Sequence, residues 1–117
     1  MRDEEHRIQC GCVAWFRLQY PQYRQLLFAV PNGGARDAIT GARLKEEGVT
    51  AGVADLILLL PRHGYHALCI EMKTRHGTQR KSQKEWSDIV SAHGYQYTVC
   101  RSLDDFMQTV NGYIKHN

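Results

Sequence analysis

Three ionisable side chains interrupt apolar sequence between Gly52 and Thr74, which reads GVADLILLLPRHGYHALCIEMKT. Asp55 precedes Ile57-Leu58-Leu59-Leu60, and Glu71 and Lys73 stand two apart in Leu68-Cys69-Ile70-Glu71-Met72-Lys73. Charges rarely enter such runs without partners, because removing them from water is costly. Two carboxylates are hard oxygen donors. Completed by water and a backbone carbonyl such as that of Met72, they suit Mg²⁺ or Mn²⁺ and do not suit zinc. A neighbouring lysine would orient or help deprotonate an attacking water, while the ion neutralises charge on a scissile phosphodiester. The plainer alternative is a buried salt-bridge network, a weak candidate for mere scaffolding because hydrophobic replacements are often as stable.

That chemistry requires the three residues to meet. Val53 to Leu60 and Tyr65 to Lys73 read as strands joined by Pro61-Arg62-His63-Gly64, a connection short enough to demand an antiparallel hairpin. A hairpin centred near His63 sets Asp55 opposite Glu71, where cross-strand Cβ atoms lie roughly 4.5–5.5 Å apart. Period-2 alternation puts Lys73 on the face of Glu71 and sends Leu68, Ile70 and Met72 to the other.

The remaining elements frame this hairpin. Ile8, Cys12, Trp15 and Phe16 form one stripe of a helix from about Asp3 to Gln19, ended by Pro21. Glu5 falls at the edge of that stripe with Gln9 a turn further on, and Glu4 lies further round. Both acids also simply favour a helix N-terminus. Leu26 to Val30 reads as a strand closed by the turn residues Pro31-Asn32-Gly33-Gly34. A helix carrying Ala38, Ile39, Ala42 and Leu44 ends at Gly48. Beyond a loop around Gly77, Gln83, Trp86, Ile89, Val90 and His93 have helical spacing. Ser82 with Glu85, or Thr78, would cap that helix, and Gly94 would end it. Tyr95 to Cys100 alternates as a last strand, and Ser102 caps a final helix with Leu103, Phe106, Met107, Val110 and Ile114.

A chain of 117 residues has room for one domain with one core, here taken as 1–117. Its net charge of +3 permits a polyanionic partner without requiring one. The distribution says more: Lys73, Arg75, Arg80, Lys81 and Lys84 follow the acidic pair closely and could neutralise successive phosphates of a nucleic acid. The four cysteines include no C-x-x-C pair, and Cys10 and Cys12 point to different sides of their helix, so reduced thiols are expected. No stretch reaches the roughly 20 apolar residues of a membrane span, and the N-terminus lacks signal-peptide character. The expected setting is cytoplasmic, with no membrane partner.

The arrangement Asp55, then Glu71-x-Lys73 on a hairpin, then a helix with a Gln, resembles the PD-(D/E)XK nuclease superfamily. More narrowly, Pro31-Asn32-Gly33-Gly34, the stretch GVTAGVAD ending at Asp55, Cys69 to Lys73, and Gln83-Lys84-Glu85-Trp86 resemble the VRR-NUC (virus-type replication-repair nuclease) domain. The chain has Ala54 where the family often has Pro, a change of backbone shape that leaves the acid in place. The resemblance implies an α/β fold with a restriction-endonuclease-like αβββαβ core, a mixed central sheet flanked by helices. It also implies Mg²⁺- or Mn²⁺-dependent DNA cleavage. On this reading Asp55 and Glu71 are metal ligands and Lys73 the water-activating group. Glu5, in preference to Glu4, is the helix-one acid, reaching the metal directly or through water. Gln83, in preference to Gln79, positions water or phosphate. Stand-alone members of viral or bacterial type resemble Holliday-junction resolvases and act as homodimers on branched DNA, and this chain is expected to share that behaviour in a bacterial or phage-infected cytosol. Flap or splayed-arm cleavage, and a junction-binding module without catalysis, are the alternatives.

Overall fold

Alternating apolar strands covered by amphipathic helices produce a four-stranded mixed sheet in the computed structural model, which describes residues 2–31 and 38–115. Helix α1 spans Arg2–Gln19, with Asp3, Glu4 and Glu5 in its first turn, where carboxylates favour the positive end of the helix dipole. Pro21 does more than stop the helix. It opens a six-residue 3-10 segment, Pro21–Leu26, which leads into β1, Leu27–Ala29. The turn expected at Pro31 to Gly34 lies outside the described residues from Asn32 onward. Helix α2 (Ala38–Glu46) ends where Gly48 adopts φ 106°, a conformation that only glycine takes without strain.

Strands β2 (Leu56–Leu58) and β3 (Leu68–Met72) are shorter than the alternation suggested, because the connecting segment leaves the ladder and is pinned by an isolated bridge between Arg62 and Tyr65. The expected register holds: Leu56 pairs with Ile70, Ile57 with Cys69 and Leu58 with Leu68, which carries Asp55 to the position opposite Glu71. The sheet order is β1-β2-β3-β4, with β4 (Gln96–Cys100) parallel to β3 and the first two pairings antiparallel. The parallel pair is bridged by α3, Lys81–Ala92, as a crossover must be.

Each face of the sheet has its own cover. Leu56, Leu58, Leu68, Ile70 and Met72 pack with Cys12 and Phe16 of α1 and with Phe106 and Val110 of α4 (Leu103–Lys115) in the main core. Ser102 caps α4 as expected, its hydroxyl accepting the Asp105 N–H at 3.0 Å. The opposite face, bearing Cys69, Glu71, Tyr97 and Val99, lies under α3, whose Trp86 ring meets Tyr97 edge-on at 6.1 Å. Ile89, expected in the buried stripe of α3, is exposed. The helix buries Gln83 instead, so its inward face is partly polar. All four cysteines are free thiols, and burial pushes the Cys12 thiol up to about 12 and those of Cys69 and Cys100 to about 11, which keeps them unreactive. No helix among the described residues is long and apolar enough to cross a membrane.

Candidate active site

Asp55 sits at the point where the chain enters β2, and its backbone and side chain both serve the sheet. Its carbonyl accepts the Val30 N–H at 2.9 Å, and its side chain takes over the ladder on the other side, Oδ2 accepting the Met72 N–H at 2.7 Å. The carboxylate is thereby aimed across β3 towards Glu71. Met72, considered for its carbonyl, meets Asp55 through its N–H.

Glu71 is only 1 % exposed, and both of its oxygens accept hydrogen bonds: Oε1 from the Tyr97 hydroxyl at 3.1 Å, Oε2 from Gln83 Nε2 at 3.0 Å. Burial, the hydrogen bond to Asp55 and the charge of Asp55 together push the Glu71 carboxyl up to about 8, against the smaller opposing pull of Tyr97 and Lys73. Without a cation Glu71 therefore stays largely protonated at neutral pH.

The third member is Lys73, 7 % exposed, whose N–H is fixed to the Cys100 carbonyl at 3.0 Å. Its ammonium has no hydrogen bond or ion pair among the described residues, although no fully buried polar atom lacks a partner. The side chain is thus packed along its stem, with Gly77 beside it, and free at its tip.

Gln83 comes to the site by an unexpected route. The caps anticipated for α3, Ser82 with Glu85 or Thr78, are not the ones used. Gln83 turns back so that Oε1 accepts the Arg80 N–H at 2.8 Å while Nε2 donates to Glu71. One amide both starts the helix and holds the acid, which explains why it is buried at 6 % exposure. Gln79, the other glutamine considered, donates instead to the Tyr97 hydroxyl at 3.1 Å.

Glu5 is half-buried on α1 and lines a cleft of about 480 Å³ with Gln9, Val13 and Arg17, while Glu4 is exposed. Among the described residues no three His, Cys, Asp or Glu side chains converge as a ready metal-ligating group, so Glu5 does not close on Asp55 and Glu71 directly. Arg75, Arg80, Lys81 and Lys84 are all exposed around the loop and first turn that follow Lys73.

Three participants escaped the sequence reading. Tyr97 reads in the sequence only as an alternating strand position, because the parallel register that brings it beside β3 is set by the crossover and leaves no local signature. Arg101 donates to the carbonyls of Thr74 at 2.9 Å and Gly77 at 2.6 Å, fastening the loop after Lys73. Gly52, at φ 87°, lies so close to α3 that an added Cβ would stand 2.2 Å from the Ser82 carbonyl oxygen. Gly52→Ala is accordingly expected to destabilise the protein by at least about 1–2 kcal/mol from backbone strain alone, with a further loss as the clash pushes this segment away from the first turn of α3. A thermal melt of the variant measures the first effect.

A titration of stability checks the Glu71 environment. The folded-state value, about 8, lies above the ordinary 4.5, so between these the folded protein holds a proton that the unfolded chain has released. Stability of the metal-free protein is therefore expected to fall as pH rises through this window, by at most about 1.4 kcal/mol per pH unit from this group. Glu71→Gln should remove that component of the slope in melts made in chelator.

Comparisons with known proteins bear on the fold and the family. A family model for the VRR-NUC domain matches residues 1–104. A solved structure described as a VRR_NUC domain protein superposes with a TM-score of 0.84 at 27% sequence identity, covering 95% of this chain and 88% of that one. A search of curated proteins finds no match. The four-stranded mixed sheet and the span of the family match together place the chain in the VRR-NUC domain family, whose members are nucleases of the PD-(D/E)XK type acting on DNA.

Proposed function

We propose that residues 1–117 form a single nuclease domain that hydrolyses phosphodiester bonds in branched DNA with Mg²⁺ or Mn²⁺, most specifically as a Holliday-junction-resolving homodimer in the cytosol. The observation that carries the reading is a Lys73 ammonium that makes no hydrogen bond or ion pair among the described residues, set near a buried Glu71 carboxyl that burial and Asp55 push up to about 8. A structural ion-pair network would have closed on that lysine.

The donor set fits a hard divalent cation. Asp55 and Glu71 supply oxygens whose mutual repulsion a cation relieves, no His or Cys among the described residues joins them, and the carbonyl of Met72, water, and Glu5 through water would fill the remaining positions. When bound, such a cation supplies Lewis-acid stabilisation of the phosphate and a more acidic water. The protein's own groups do the positioning. Lys73 donates to the attacking water and to a phosphoryl oxygen, while Gln83 and Tyr97 keep Glu71 from rotating. Attack by water oxygen forms the new P–O bond and releases that water's proton to solvent, while the bond to the sugar oxygen breaks and that oxygen takes a proton from solvent.

Arg75, Arg80, Lys81 and Lys84 support a polymeric phosphate as substrate, because cations spread along the loop and helix can meet successive phosphates and release counterions. A homodimer would supply the paired cuts, since symmetric incision of a four-way junction needs two sites related by an axis.

The test uses end-labelled four-way-junction, flap, splayed-arm and single-stranded DNA with Mg²⁺ and with Mn²⁺, followed by mapping of the cuts. Symmetric nicks across the junction are expected. A single cut near a flap base would reassign the substrate, and salt-sensitive binding without any cleavage would replace the enzyme by a junction-recognition module.

A further inference from the structure

Glu71 is held from two directions, and the second hold has a direction of its own. Gln83 grips Oε2 from α3, with its amide orientation dictated by the Arg80 N–H on the other end. Tyr97 reaches Oε1 from β4, and its oxygen is in turn met by Gln79 Nε2. An amide NH₂ can only donate. The Gln79 contact therefore occupies a lone pair of the hydroxyl and leaves its single proton for the carboxylate. The ring cannot swing away, because Trp86 abuts it and the parallel register fixes Tyr97 alongside Cys69, one same-face step before Glu71. A carboxylate with one donor on each oxygen keeps a lone pair on each for a cation, and rotating it would break both bonds.

We propose that Tyr97, with its hydroxyl proton directed by Gln79, is a positioning residue that fixes the Glu71 carboxylate for a divalent cation. This rests on the reading of Asp55 and Glu71 as the groups that hold the cation. Outer partners of metal ligands act by orienting the ligand, and their loss typically weakens metal affinity about 10–100-fold. Gln79 allows the role to be separated from charge. Glu at position 79 would be acceptor-only and would draw the Tyr97 proton away from Glu71. Its added negative charge, acting alone, would tighten cation binding.

Calorimetric titration of Mn²⁺ into the metal-stripped full chain tests this, with melting curves as a check on folding. Tyr97→Phe keeps the ring against Trp86 and is expected to weaken Mn²⁺ binding about 10-fold or more. Gln79→Glu is expected to weaken it as well, and to cause no further weakening when combined with Tyr97→Phe. Wild-type affinity in Tyr97→Phe, or tighter binding in Gln79→Glu, would overturn the positioning role. Should Tyr97→Phe fail to fold, the half-buried Gln79 variant decides the matter by the sign of its effect. Glu71→Gln separates the two levels. Retained Mn²⁺ affinity there would overturn the reading of the site and this inference with it. Lost affinity there, alongside wild-type binding in Tyr97→Phe, would overturn the positioning role alone.

Discussion

Asp55→Asn and Glu71→Gln are each expected to lower DNA cleavage by more than about 100-fold, beyond the upper end of what loss of a ligand's supporting partner costs. Both proteins should fold. Asn at 55 retains an oxygen for the Met72 N–H, and Gln at 71 can direct its oxygen to Gln83 and its NH₂ to the Tyr97 oxygen, so the loss is confined to the acceptor of the half-buried Tyr97 hydroxyl proton, about 1 kcal/mol. What each removes is one charged hard donor. Binding of DNA should survive, because the exposed cations Arg75, Arg80, Lys81 and Lys84 are untouched. Gel-shift measurements in chelator together with cleavage assays separate the two properties. Cleavage at the wild-type rate in either variant would refute the assignment.

Lys73→Met is expected to have the second largest effect, and an opposite one on stability. Removing the ammonium should slow cleavage about 10²–10⁴-fold, the usual contribution of a positioned proton-handling group. Yet Lys73 is almost fully buried, and beyond a modest electrostatic pull on Glu71 its ammonium makes no hydrogen bond or ion pair among the described residues. Methionine fills the same channel beside Gly77 without a charge to desolvate, so the melting temperature should stay level or rise. A structural lysine would behave in the reverse way, with activity lost only as far as the fold is lost. Parallel melting curves and single-turnover cleavage rates distinguish the two.

The hairpin was readable from residue types because its register depends on local features. Pro61 to Gly64 set the turn, alternation set the faces, and a buried face leaves no freedom for a one-residue slip, so Asp55 and Glu71 could be paired across fifteen intervening residues. The first helix, the Ser102 cap and the VRR-NUC family were legible for similar reasons, through local periodicity, local capping chemistry and several short motifs, each local in itself. The details that failed were those decided at a distance. Gln83 could not be recognised as the cap of α3 because its geometry depends on Glu71 already being there to take the other end of the amide. Ile89 looks buried by spacing, but α3 covers only the β3-β4 side of the sheet, and that helix face meets no strand. Tyr97 and Arg101 reach the site through a parallel pairing, whose register no turn announces.

The most direct test of the site is cleavage of an end-labelled four-way junction while Mn²⁺ is titrated into chelator-stripped wild-type protein and Asp55→Asn side by side. The geometry of Asp55, Glu71 and Lys73 predicts no product without metal, a saturable rise with wild type, and none with the variant. Product formed in chelator, or at equal rates by both proteins, would contradict it.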